Sequence, residues 1–573
     1  MIPLISLVAG TYNRVAMLIR MVESVRREIP RGLSYEIIVV DGGSADNTVS
    51  WCQSQPDIHL IEHGGLHGAI RAFCDGAKAA RGEYVILAND DIEFKPYSIL
   101  AALAHLERTP MCGAVAFADN RTSLVHGHGK DYRTEGIGAT TPDGQRTMVT
   151  YAQVGMFRRA LGDTVGWWGA DDPVMGQART YGGDCFLSAG IWEMGYTVDP
   201  VPQAQIEDFI AEDGLRAINA SIGPRDSGCY YARYPTVQLP RTFKRYPVRD
   251  RLRIMHTPVY EAGFPGHMNL EQGMTEALGN YGLAFEWDYL NTPGDLVEYV
   301  RAWQPDLLIT QIQNAGERMT PYMLASARNA CPSMIIVNWN GDAHETGLLS
   351  DGVLDLLKYV DLQTTINAKV LPQYAEKGIN CAYWQIGYKD PVGELPDMPA
   401  YDVLFQGNCY NALRDGLVRL LRSTYVENSR RVIAGIYGNC PTADGNTHYD
   451  FAAQRALYQR AKIVIGDTYP STRAFVSNRL FQALSAGAFM LQQVSDGLDE
   501  LTGLRDGVHY ASWTDLVDLR SKIAYWLPRE DERKRIALQG CAFVRANFSY
   551  DAQVQKLFED LLPLIEAKDY VTA

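Results

Sequence analysis

Gly82–Ile92 reads GEYVILANDDI, and the first half of this sequence is best understood from that stretch. Tyr84–Leu87 is a short, continuously apolar run, which is typical of a strand buried on both faces of a parallel sheet. The run stops at Asn89–Asp91, so two carboxylates follow the end of a central strand, where ligands bind in open α/β sheets. Adjacent acids repel each other unless a cation lies between them, and Mg²⁺ or Mn²⁺ prefers such oxygen ligands. The alternative interpretation is a solvated turn or a helix N-cap.

Two strand–turn–helix units precede this stretch. Apolar runs at Ile5–Ala9 and Tyr35–Val40 predict buried strands, and Val15–Glu28 carries apolar residues at helical spacing. The runs end in turns at Gly10–Arg14 and Asp41–Thr48, the second rich in small and capping residues. This order predicts a nucleotide-binding α/β fold, in which the acid that opens the second turn can accept hydrogen bonds from a base or ribose.

Length and composition limit the classes of protein that fit. A chain of 573 residues is too long for one hydrophobic core, and its 46% hydrophobic and 21% charged residues are ordinary for globular domains. The formal net charge of −14 argues against non-specific binding to nucleic acid or anionic membranes. The sequence shows neither a secretory signal nor an apolar run long enough to span a bilayer, so we expect a cytoplasmic protein without a membrane span.

The cysteine pattern predicts neither a zinc knuckle nor a disulfide framework. The ten cysteines are scattered and none belongs to a CxxC pair, which fits a reducing cytoplasm. They are Cys52, Cys74, Cys112, Cys185, Cys229, Cys331, Cys381, Cys409, Cys440 and Cys541.

Three segments of the first half resemble the signatures of family 2 glycosyltransferases with the GT-A fold. They are Leu7–Arg14 (LVAGTYNR), Glu36–Thr48 (EIIVVDGGSADNT) and Gly82–Ile92. We assign residues 1–232 to this GT-A domain. The resemblance implies that a UDP- or GDP-sugar binds with its base and ribose near four residues of the first two turns. These are Thr11, Asn13, Arg14 and Asp41.

The same resemblance gives the acids of the third segment a role. It implies that Asp91, with Asp90 beside it, holds Mn²⁺ or Mg²⁺ against the diphosphate, as the DxD-type motif of the family does. Asn89 occupies the first position of that motif, a variant that the family tolerates. Relatives commonly have a His after the final strand as a further metal ligand. This chain has Asp208 there, and a carboxylate oxygen can take the place of the imidazole.

A catalytic base is also implied by the resemblance, on a carboxylate near the start of a helix beneath the acceptor. Asp184 begins a helical stretch that ends at Gly195 and is followed by a predicted strand at Tyr196–Val201. Its implied role is to take the proton from an acceptor hydroxyl as that oxygen attacks the anomeric carbon. The alternatives are that Asp184 only caps its helix, or that Asp171 or Asp172 is the base.

The second half shows a new α/β pattern after a basic connector. Residues 233–252 combine prolines with arginines, which predicts an extended linker that is a solvated strap or, alternatively, an anionic-acceptor contact. Two Rossmann-like domains follow at 253–395 and 396–573, and in the first of them Gly263–His267 is a candidate donor-cleft loop. Two such domains form the GT-B architecture. The predicted fold class is therefore α/β, with a GT-A nucleotide-diphospho-sugar transferase domain followed by a GT-B pair.

The later of these two domains has the clearer motif. Residues 461–467 and 477–488 resemble the donor-binding segment of CgeB-like, group 1 glycosyltransferases. A helix is predicted at Ala474–Ser485, with its N-terminal end facing a diphosphate. The resemblance implies donor contacts from Asn478, Arg479 and Gln482, although the family usually has Glu in place of Gln482. The alternative for Arg479 is an interdomain salt bridge.

These features predict a bifunctional glycosyltransferase that uses nucleotide-sugars, with an inverting, metal-dependent GT-A half and a metal-independent GT-B half. The acceptor is expected to be a hydroxyl of a glycan, a protein glycan or a modified nucleobase, and the net charge does not favour nucleic acid. One alternative is a single-activity GT-A enzyme whose GT-B half is a non-catalytic acceptor-binding module. Another is a glycosyltransferase that acts on modified bases of viral DNA. A non-catalytic binding protein, by contrast, would tolerate the loss of Asp91 or Asp184.

Overall fold

The structure is a computed structural model, and residue contacts divide the chain into two compact units. The first unit comprises Met1–Arg251 and Pro293–Gln304, and the second comprises Leu252–Thr292 and Pro305–Ala573. The described residues are 2–119, 136–209, 213–247, 251–257, 268–287, 295–312, 319–341, 351–385, 387–391, 393–409, 411–423, 426–427, 430–447, 450–467 and 476–572.

The strands of the first unit form a main sheet and a small one. Their bounds are β1 (Ile5–Thr11), β2 (Tyr35–Asp41), β3 (Ile58–Glu62), β4 (Tyr84–Leu87), β5 (Ile92–Phe94), β6 (Cys112–Asp119), β7 (Ile137–Thr140), β8 (Arg146–Val149), β9 (Gly155–Arg158), β10 (Thr197–Asp208) and β11 (Val237–Gln238). The main sheet has the order β3-β2-β1-β4-β9-β6-β10-β5, and the small one β11-β7-β8. Strands β1 to β4 are parallel, so their carboxyl ends meet at one edge.

Helices connect these strands. They are α1 (Val15–Glu28), α2 (Thr48–Gln53), α3 (Ala69–Ala79), α4 (Ser98–Arg108), α5 (Arg159–Val165), α6 (Gly183–Glu193) and α7 (Gly214–Arg233). In chain order, α8 (Met268–Leu278) belongs to the second unit, and α9 (Leu296–Trp303) returns to the first. Helix α9 packs on α4, where the rings of Tyr97 and Tyr299 meet edge to face at 4.8 Å. The backbone N–H of Asp295 also donates to the Tyr97 hydroxyl at 2.9 Å.

The second unit contains two parallel sheets. Its strands are β12 (Leu252–Thr257), β13 (Gly282–Glu286), β14 (Leu307–Thr310), β15 (Ile335–Asn340), β16 (Leu362–Thr365), β17 (Cys381–Tyr383), β18 (Tyr401–Gln406), β19 (Val426–Glu427), β20 (Arg430–Arg431), β21 (Ala434–Tyr437), β22 (Ala461–Gly466), β23 (Met490–Gln493) and β24 (Ala511–Trp513). Their orders are β13-β12-β14-β15-β16-β17 and β21-β18-β22-β23-β24, with β19-β20 as a separate pair.

The remaining helices surround these sheets, and the last one returns to the earlier sheet of the unit. They are α10 (Pro321–Ala330), α11 (Asp351–Leu357), α12 (Leu371–Glu376), α13 (Ala412–Arg422), α14 (Phe451–Arg460), α15 (Asn478–Ser485), α16 (Leu498–Thr502), α17 (Leu516–Trp526), α18 (Glu530–Asn547) and α19 (Tyr550–Thr572). On α19, Phe558 stacks on Tyr281 at 3.9 Å, and the Gln553 carbonyl accepts from the Trp384 indole at 2.7 Å.

Three sequence expectations can be compared directly with the structure. Helix α1 has the predicted bounds, because its apolar spacing is regular and Pro30 follows it. Helix α15 starts later than predicted: Ser477 is its N-cap and accepts from the backbone N–H of Arg479, and Val476 is not helical. The expectation of unpaired cysteines is wrong for Cys409 and Cys440, which form a disulfide. The parallel pairing of β18 with β21 brings their following loops together across 31 residues.

Within the described residues, no helix is both long and apolar enough to cross a membrane.

Candidate active site

The carboxyl-end edge of the first unit's sheet surrounds a cavity of about 320 Å³, which we call the active-site cavity. It is lined by residues that follow β1, β4 and β10 and by the start of α6. Of the residues predicted for this half, the structure places six in its wall: Thr11, Arg14, Asp90, Asp91, Asp184 and Asp208. Asn13 and Asp41 do not line the cavity but lie directly behind it, as described below.

Asp90 and Asp91 are both buried at the end of β4, with 4% and 8% of their surface exposed. The Thr11 hydroxyl donates to Asp90 Oδ2 at 2.8 Å, and Arg14 Nη1 donates to Asp90 Oδ1 at 3.1 Å. The same Nη1 lies 3.6 Å from Asp91 Oδ2. Burial raises the pKa of Asp90 to about 6, although Arg14 opposes the shift. In this structure, the guanidinium of Arg14 therefore supplies the positive charge that offsets the repulsion between Asp90 and Asp91.

Arg14 has a third acidic partner that sequence analysis missed. Its Nε and Nη2 donate to the two carboxylate oxygens of Asp213 at 2.7 and 3.0 Å, in a bidentate pair. Although burial opposes ionisation, Asp213, Asp90 and Asp91 together raise the pKa of Arg14. The contact joins residues 199 positions apart, so no local pattern could have indicated it.

Asp91 and Asp208 are brought together by strand pairing. In the antiparallel β5–β10 pair, Asp208 lies opposite Ile92, the residue after Asp91. The backbone N–H of Phe209 donates to the Asp91 carbonyl at 2.8 Å, which fixes the two segments side by side. Two carboxylates on neighbouring strands, both facing one cavity, form a donor set of oxygens that suits Mn²⁺ or Mg²⁺.

Asp41 shapes the turn behind the cavity. Its Oδ2 accepts from the backbone N–H groups of Gly43 and Ser44, each at 2.9 Å. Its Oδ1 is buried and has no hydrogen-bond partner among the described residues. Asn13 braces the same turn, because its Oδ1 accepts from the Ala45 N–H at 2.6 Å.

Asp184 lies in the first turn of α6 and is half-buried in the cavity wall. The N-cap position belongs to Gly182, so the alternative in which Asp184 is the N-cap does not describe this helix. The other candidate bases are engaged outside the cavity. Asp171 pairs with Lys78 and Arg71 at the surface, and Asp172 accepts from the backbone N–H groups of Val174 and Met175 and from Arg233.

The loop before α6 is held by a second acid that sequence analysis missed. Asp226 of α7 is 1% exposed, and its Oδ2 accepts from three successive backbone N–H groups, those of Arg179, Thr180 and Tyr181, at 2.7–3.2 Å. All three of these residues line the active-site cavity. Asp226 lies four residues before the buried Tyr230, so the two share one face of α7. This spacing is the sequence feature that could have indicated a buried position for Asp226.

The same loop is also fixed from its other side. The Arg179 carbonyl accepts from the Ile70 N–H at 3.0 Å, and Arg179 Nη2 donates to the Leu66 carbonyl at 2.6 Å. Gly68 has φ +92°, and a Cβ there would lie 2.3 Å from the Arg179 carbonyl oxygen, so this approach requires glycine.

The second unit places its predicted donor residues around a buried acid. Asp467, at the end of β22, is completely buried and accepts from Arg414 at 2.6 Å and from Arg479 at 2.7 Å. Both guanidinium groups lower the pKa of Asp467, against the effect of burial. Arg479 thus pairs with an acid of its own sheet rather than across two domains. Gly263–His267 lies outside the described residues.

On α15, the side chains of Asn478 and Gln482 have different neighbours. Asn478 Oδ1 accepts from the Gln385 side chain at 3.0 Å. Gln482 instead lines a small cavity with Tyr388, Arg455 and other residues, and neither Asn478 nor Arg479 belongs to that cavity.

Two stretches of the chain are similar to known protein families. Residues 6–164 match the model of glycosyl transferase family 2, and residues 417–559 match a family described as glycosyl transferase-like. An uncharacterized glycosyltransferase, YwdF of Bacillus subtilis (strain 168), is 31% identical over 172 residues. That match covers 29% of this chain and 62% of YwdF, so the chain spans less than two thirds of this relative.

Solved structures were compared as well. The mannosyltransferase PcManGT of Pyrobaculum calidifontis, in complex with GDP-Man and Mn²⁺, is 21% identical, with 43% of this chain and 67% of that chain covered and a TM-score of 0.32. S. aureus TarS 1-349 in complex with UDP-GlcNAc is 14% identical, with 37% and 60% covered and a TM-score of 0.29. The two family matches confirm the predicted resemblance and fold class: a GT-A-like glycosyltransferase unit, followed by parallel Rossmann-like sheets of the GT-B type.

Proposed function

We propose that the first unit transfers a sugar from a UDP- or GDP-sugar to a hydroxyl acceptor, with inversion at the anomeric carbon and with a divalent metal. One observation carries this proposal: Asp91, Asp208 and Asp184 line the same cavity, at the sheet edge where nucleotides bind. Asp91 and Asp208 would hold Mn²⁺ or Mg²⁺, which when bound supplies positive charge for the leaving diphosphate.

The protein's own residues have separate roles in this reaction. Asp184 accepts the proton of the acceptor hydroxyl while that oxygen forms a bond to the anomeric carbon. The bond from this carbon to the diphosphate breaks, and the nucleoside diphosphate leaves with the electron pair. The base and ribose would lie near Thr11, Asn13, Arg14 and Asp41, and Asp90 would lie beside Asp91 at the diphosphate.

We propose that the second unit is a metal-independent glycosyltransferase whose donor contacts include Asn478, Arg479 and Gln482. The buried cluster of Arg414, Asp467 and Arg479 supports this, because it carries one net positive charge at a strand end. A second candidate is a non-catalytic acceptor-binding module, which fits the small cavity of Gln482, since Asn478 and Arg479 are not among its lining residues. In that case the chain has a single activity.

The acceptor class that we propose is a hydroxyl of a glycan, a protein glycan or a modified nucleobase. The net charge of −14 favours the first two over viral DNA. We propose the cytoplasm as the compartment because eight described cysteines are free thiols, although the Cys409–Cys440 disulfide weighs against it.

The test is a screen of UDP- and GDP-sugars with the full chain, with nucleoside diphosphate release as the measurement and Mn²⁺ or EDTA present. Asp91→Asn and Asp184→Asn are each expected to lower the metal-dependent rate by at least about 100-fold. Asp171→Asn is the matched control, since Asp171 lies at the surface outside the cavity, and it should keep the rate. Retention of the rate in Asp91→Asn or Asp184→Asn would refute the assignment.

The same screen separates the two candidates for the second unit. A donor whose turnover persists in EDTA and in Asp91→Asn, but is lost in Arg479→Gln, would show a second active centre. If every donor turnover disappears with Asp91→Asn, the second unit is the non-catalytic module.

A further inference from the structure

Three side chains with metal-ligating atoms meet in the first unit away from the active-site cavity. They are His105 in the last turn of α4, Cys112 at the start of β6 and Asp199 in β10. Cys112 is the first residue of its strand, whereas the active-site cavity lies at the carboxyl-end edge of the sheet. This group, which we call the His–Cys–Asp cluster, takes no part in the function proposed above.

The ligand atoms of the cluster are close together. One atom from each side chain lies within 4.8 Å of the others, and His105 Nε2 is 2.8 Å from Asp199 Oδ2. The Cys112 thiol donates to the Ala114 carbonyl at 3.1 Å and also contacts the Asp199 carboxylate. Cys112 is fully buried, whereas the side chains of His105 and Asp199 are 29% and 25% exposed. The cluster is therefore closed on the protein side and accessible from solvent on the other.

The chemistry of these three groups is that of a zinc site. A thiolate, an imidazole nitrogen and a carboxylate oxygen are the ligands that Zn²⁺ takes in proteins, and three protein ligands leave a fourth position for water. A thiolate does not suit Mg²⁺ or Mn²⁺, which prefer oxygen ligands. We propose that His105, Cys112 and Asp199 bind one Zn²⁺ ion, at a site separate from the oxygen ligands of the active-site cavity.

The backbone around the cluster is already held in place. Arg158 is 2% exposed; its Nε donates to the Cys112 carbonyl at 2.8 Å and its Nη2 to the Leu106 carbonyl at 2.5 Å. One buried guanidinium thus ties together the segment that carries Cys112 and the residue next to His105. Burial and the neighbouring Asp199 raise the pKa of the Cys112 thiol, and the charge of Arg158 opposes this shift only in part. The Thr197 hydroxyl donates to the Met111 carbonyl at 3.3 Å and also contacts Asp199.

The competing explanation is a hydrogen-bonded triad without metal, in which Asp199 pairs with His105 and accepts from the Cys112 thiol. Both explanations fit the same distances, but they differ in what happens to the thiol. A bound metal removes its proton and forms a sulfur–metal bond, whereas the triad leaves the thiol protonated.

The experiment uses the full chain, stripped with EDTA and titrated with Co²⁺ as a spectroscopic substitute for Zn²⁺. We expect a thiolate-to-cobalt charge-transfer absorption that saturates at one equivalent, disappears on addition of Zn²⁺ and resists excess Mg²⁺. Cys112→Ser should abolish this absorption, and the matched control Cys541→Ser, a half-buried free cysteine on α18, should keep it. The loss of a residue that only hydrogen-bonds a metal ligand weakens metal binding by roughly 10- to 100-fold. Because Asp199 is proposed as a ligand itself, Asp199→Asn should weaken Zn²⁺ binding by more than this.

Two results would overturn the proposal: absence of the charge-transfer absorption in the unmodified chain, or its retention in Cys112→Ser. His105→Asn, checked for unchanged circular dichroism, gives an independent variant should Cys112→Ser fail to fold, and it too must lose the absorption. Asp91→Asn should leave the absorption intact, so that failure of the zinc site and failure of the proposed active site are distinguishable.

Discussion

Arg14 places a positive charge between carboxylates that are expected to bind a metal. Its Nη1 is 3.1 Å from Asp90 and 3.6 Å from Asp91, and its other nitrogens hold Asp213. Unit charges 4 Å apart interact by about 4 kcal/mol at an effective dielectric constant of 20. The guanidinium therefore opposes a second cation at the same acids, and a donor complex must offset this repulsion with the charge of its diphosphate.

This charge leads to a prediction for metal binding without nucleotide. Arg14→Gln removes the repulsion between the guanidinium and the metal ion. Since about 1.4 kcal/mol corresponds to a tenfold change in affinity, we expect Mn²⁺ to bind about tenfold more tightly or better. Calorimetric titration of the full chain with Mn²⁺ measures the effect. Arg27→Gln on the exposed side of α1 serves as the control. Unchanged or weaker Mn²⁺ binding in Arg14→Gln would contradict the expectation.

His256 predicts how stability depends on pH. It is 1% exposed at the end of β12, and burial lowers its pKa to about 3. The pKa of this imidazole in the unfolded chain is about 6.5. At pH values between the two pKa values, the imidazole is therefore protonated in the unfolded chain and neutral in the folded chain. The stabilising contribution is thus complete above pH 6.5 and is lost as pH falls toward 3. At pH 5 this contribution has fallen by about 2 kcal/mol from its full value.

The measurement is the urea midpoint of the full chain at pH 7.5 and at pH 5. His256→Gln should reduce the difference between the two midpoints, because glutamine does not titrate. An equal difference in both proteins would show that other groups control the acid sensitivity.

Single residues of the site were predictable where they follow a buried strand. Asp91 was named because an apolar run ends just before Asn89–Asp91, and Asp208 because it stands where relatives commonly have a metal-ligating His; strand pairing then places the two side by side. Asp213 and Asp226 could not be found in this way. Both act through partners far away in sequence, and an acid within a helix has many ordinary explanations.

At the scale of elements, α7 controls the loop that leads into α6. Asp226→Ala removes the acceptor of three backbone N–H groups and should free residues 179–181. We expect faster tryptic cleavage after Arg179, measured by mass spectrometry of the full chain, together with a lower turnover of the identified donor. Asp226→Asn keeps one acceptor oxygen and should show an intermediate effect. Equal cleavage rates in all three proteins would contradict a positioning role.

The end of β22 gives a second prediction at this scale. Asp467→Asn leaves the buried guanidinium groups of Arg414 and Arg479 without their counter-charge, which should destabilise the second unit by about 3–5 kcal/mol. The midpoint of its urea transition measures this effect. The exposed Asp531→Asn on α18 should leave the midpoint unchanged. A similar midpoint for Asp467→Asn would mean that water, rather than Asp467, solvates the two arginines.

Elements with a strong period were predictable, and their ends were less so. Helix α1 and strand β4 have the predicted bounds, because the regular apolar spacing of α1 ends before Pro30 and the apolar run of β4 ends before Asn89–Asp91. The start of α15 depends instead on the side chain of Ser477, which competes for the first free amide. Likewise, the Cys409–Cys440 disulfide depends on the pairing of β18 with β21, which no cysteine spacing reveals.

At the scale of the whole molecule, α9 is part of the first unit although strands of the second unit precede and follow it. Tyr299 is 2% exposed and packs on Tyr97, so Tyr299→Ala should destabilise the first unit by about 3–5 kcal/mol. Hydrogen exchange of α4 peptides in the full chain should accelerate. The control is Tyr322→Ala, since that side chain is 79% exposed. Unchanged exchange in α4 would contradict the assignment of α9 to the first unit.

The division into a GT-A-like part and two Rossmann-like sheets was predictable, because each sheet has apolar strands with polar ends in a regular order. The return of residues 293–304 to the first unit was not. The apolar stripe of α9 shows that the helix is buried, but only tertiary packing decides which partner covers it.

The path of α9 also has a consequence for how such a gene could be rearranged. The chain passes from one unit to the other after residues 251, 292 and 304, so no single breakpoint separates their coding sequences. A recombination event at any of these points would leave one product without a segment that completes its hydrophobic interior. The coding sequences of the two units are therefore expected to be inherited together once joined. Neither unit should be replaced readily by recombination with another gene.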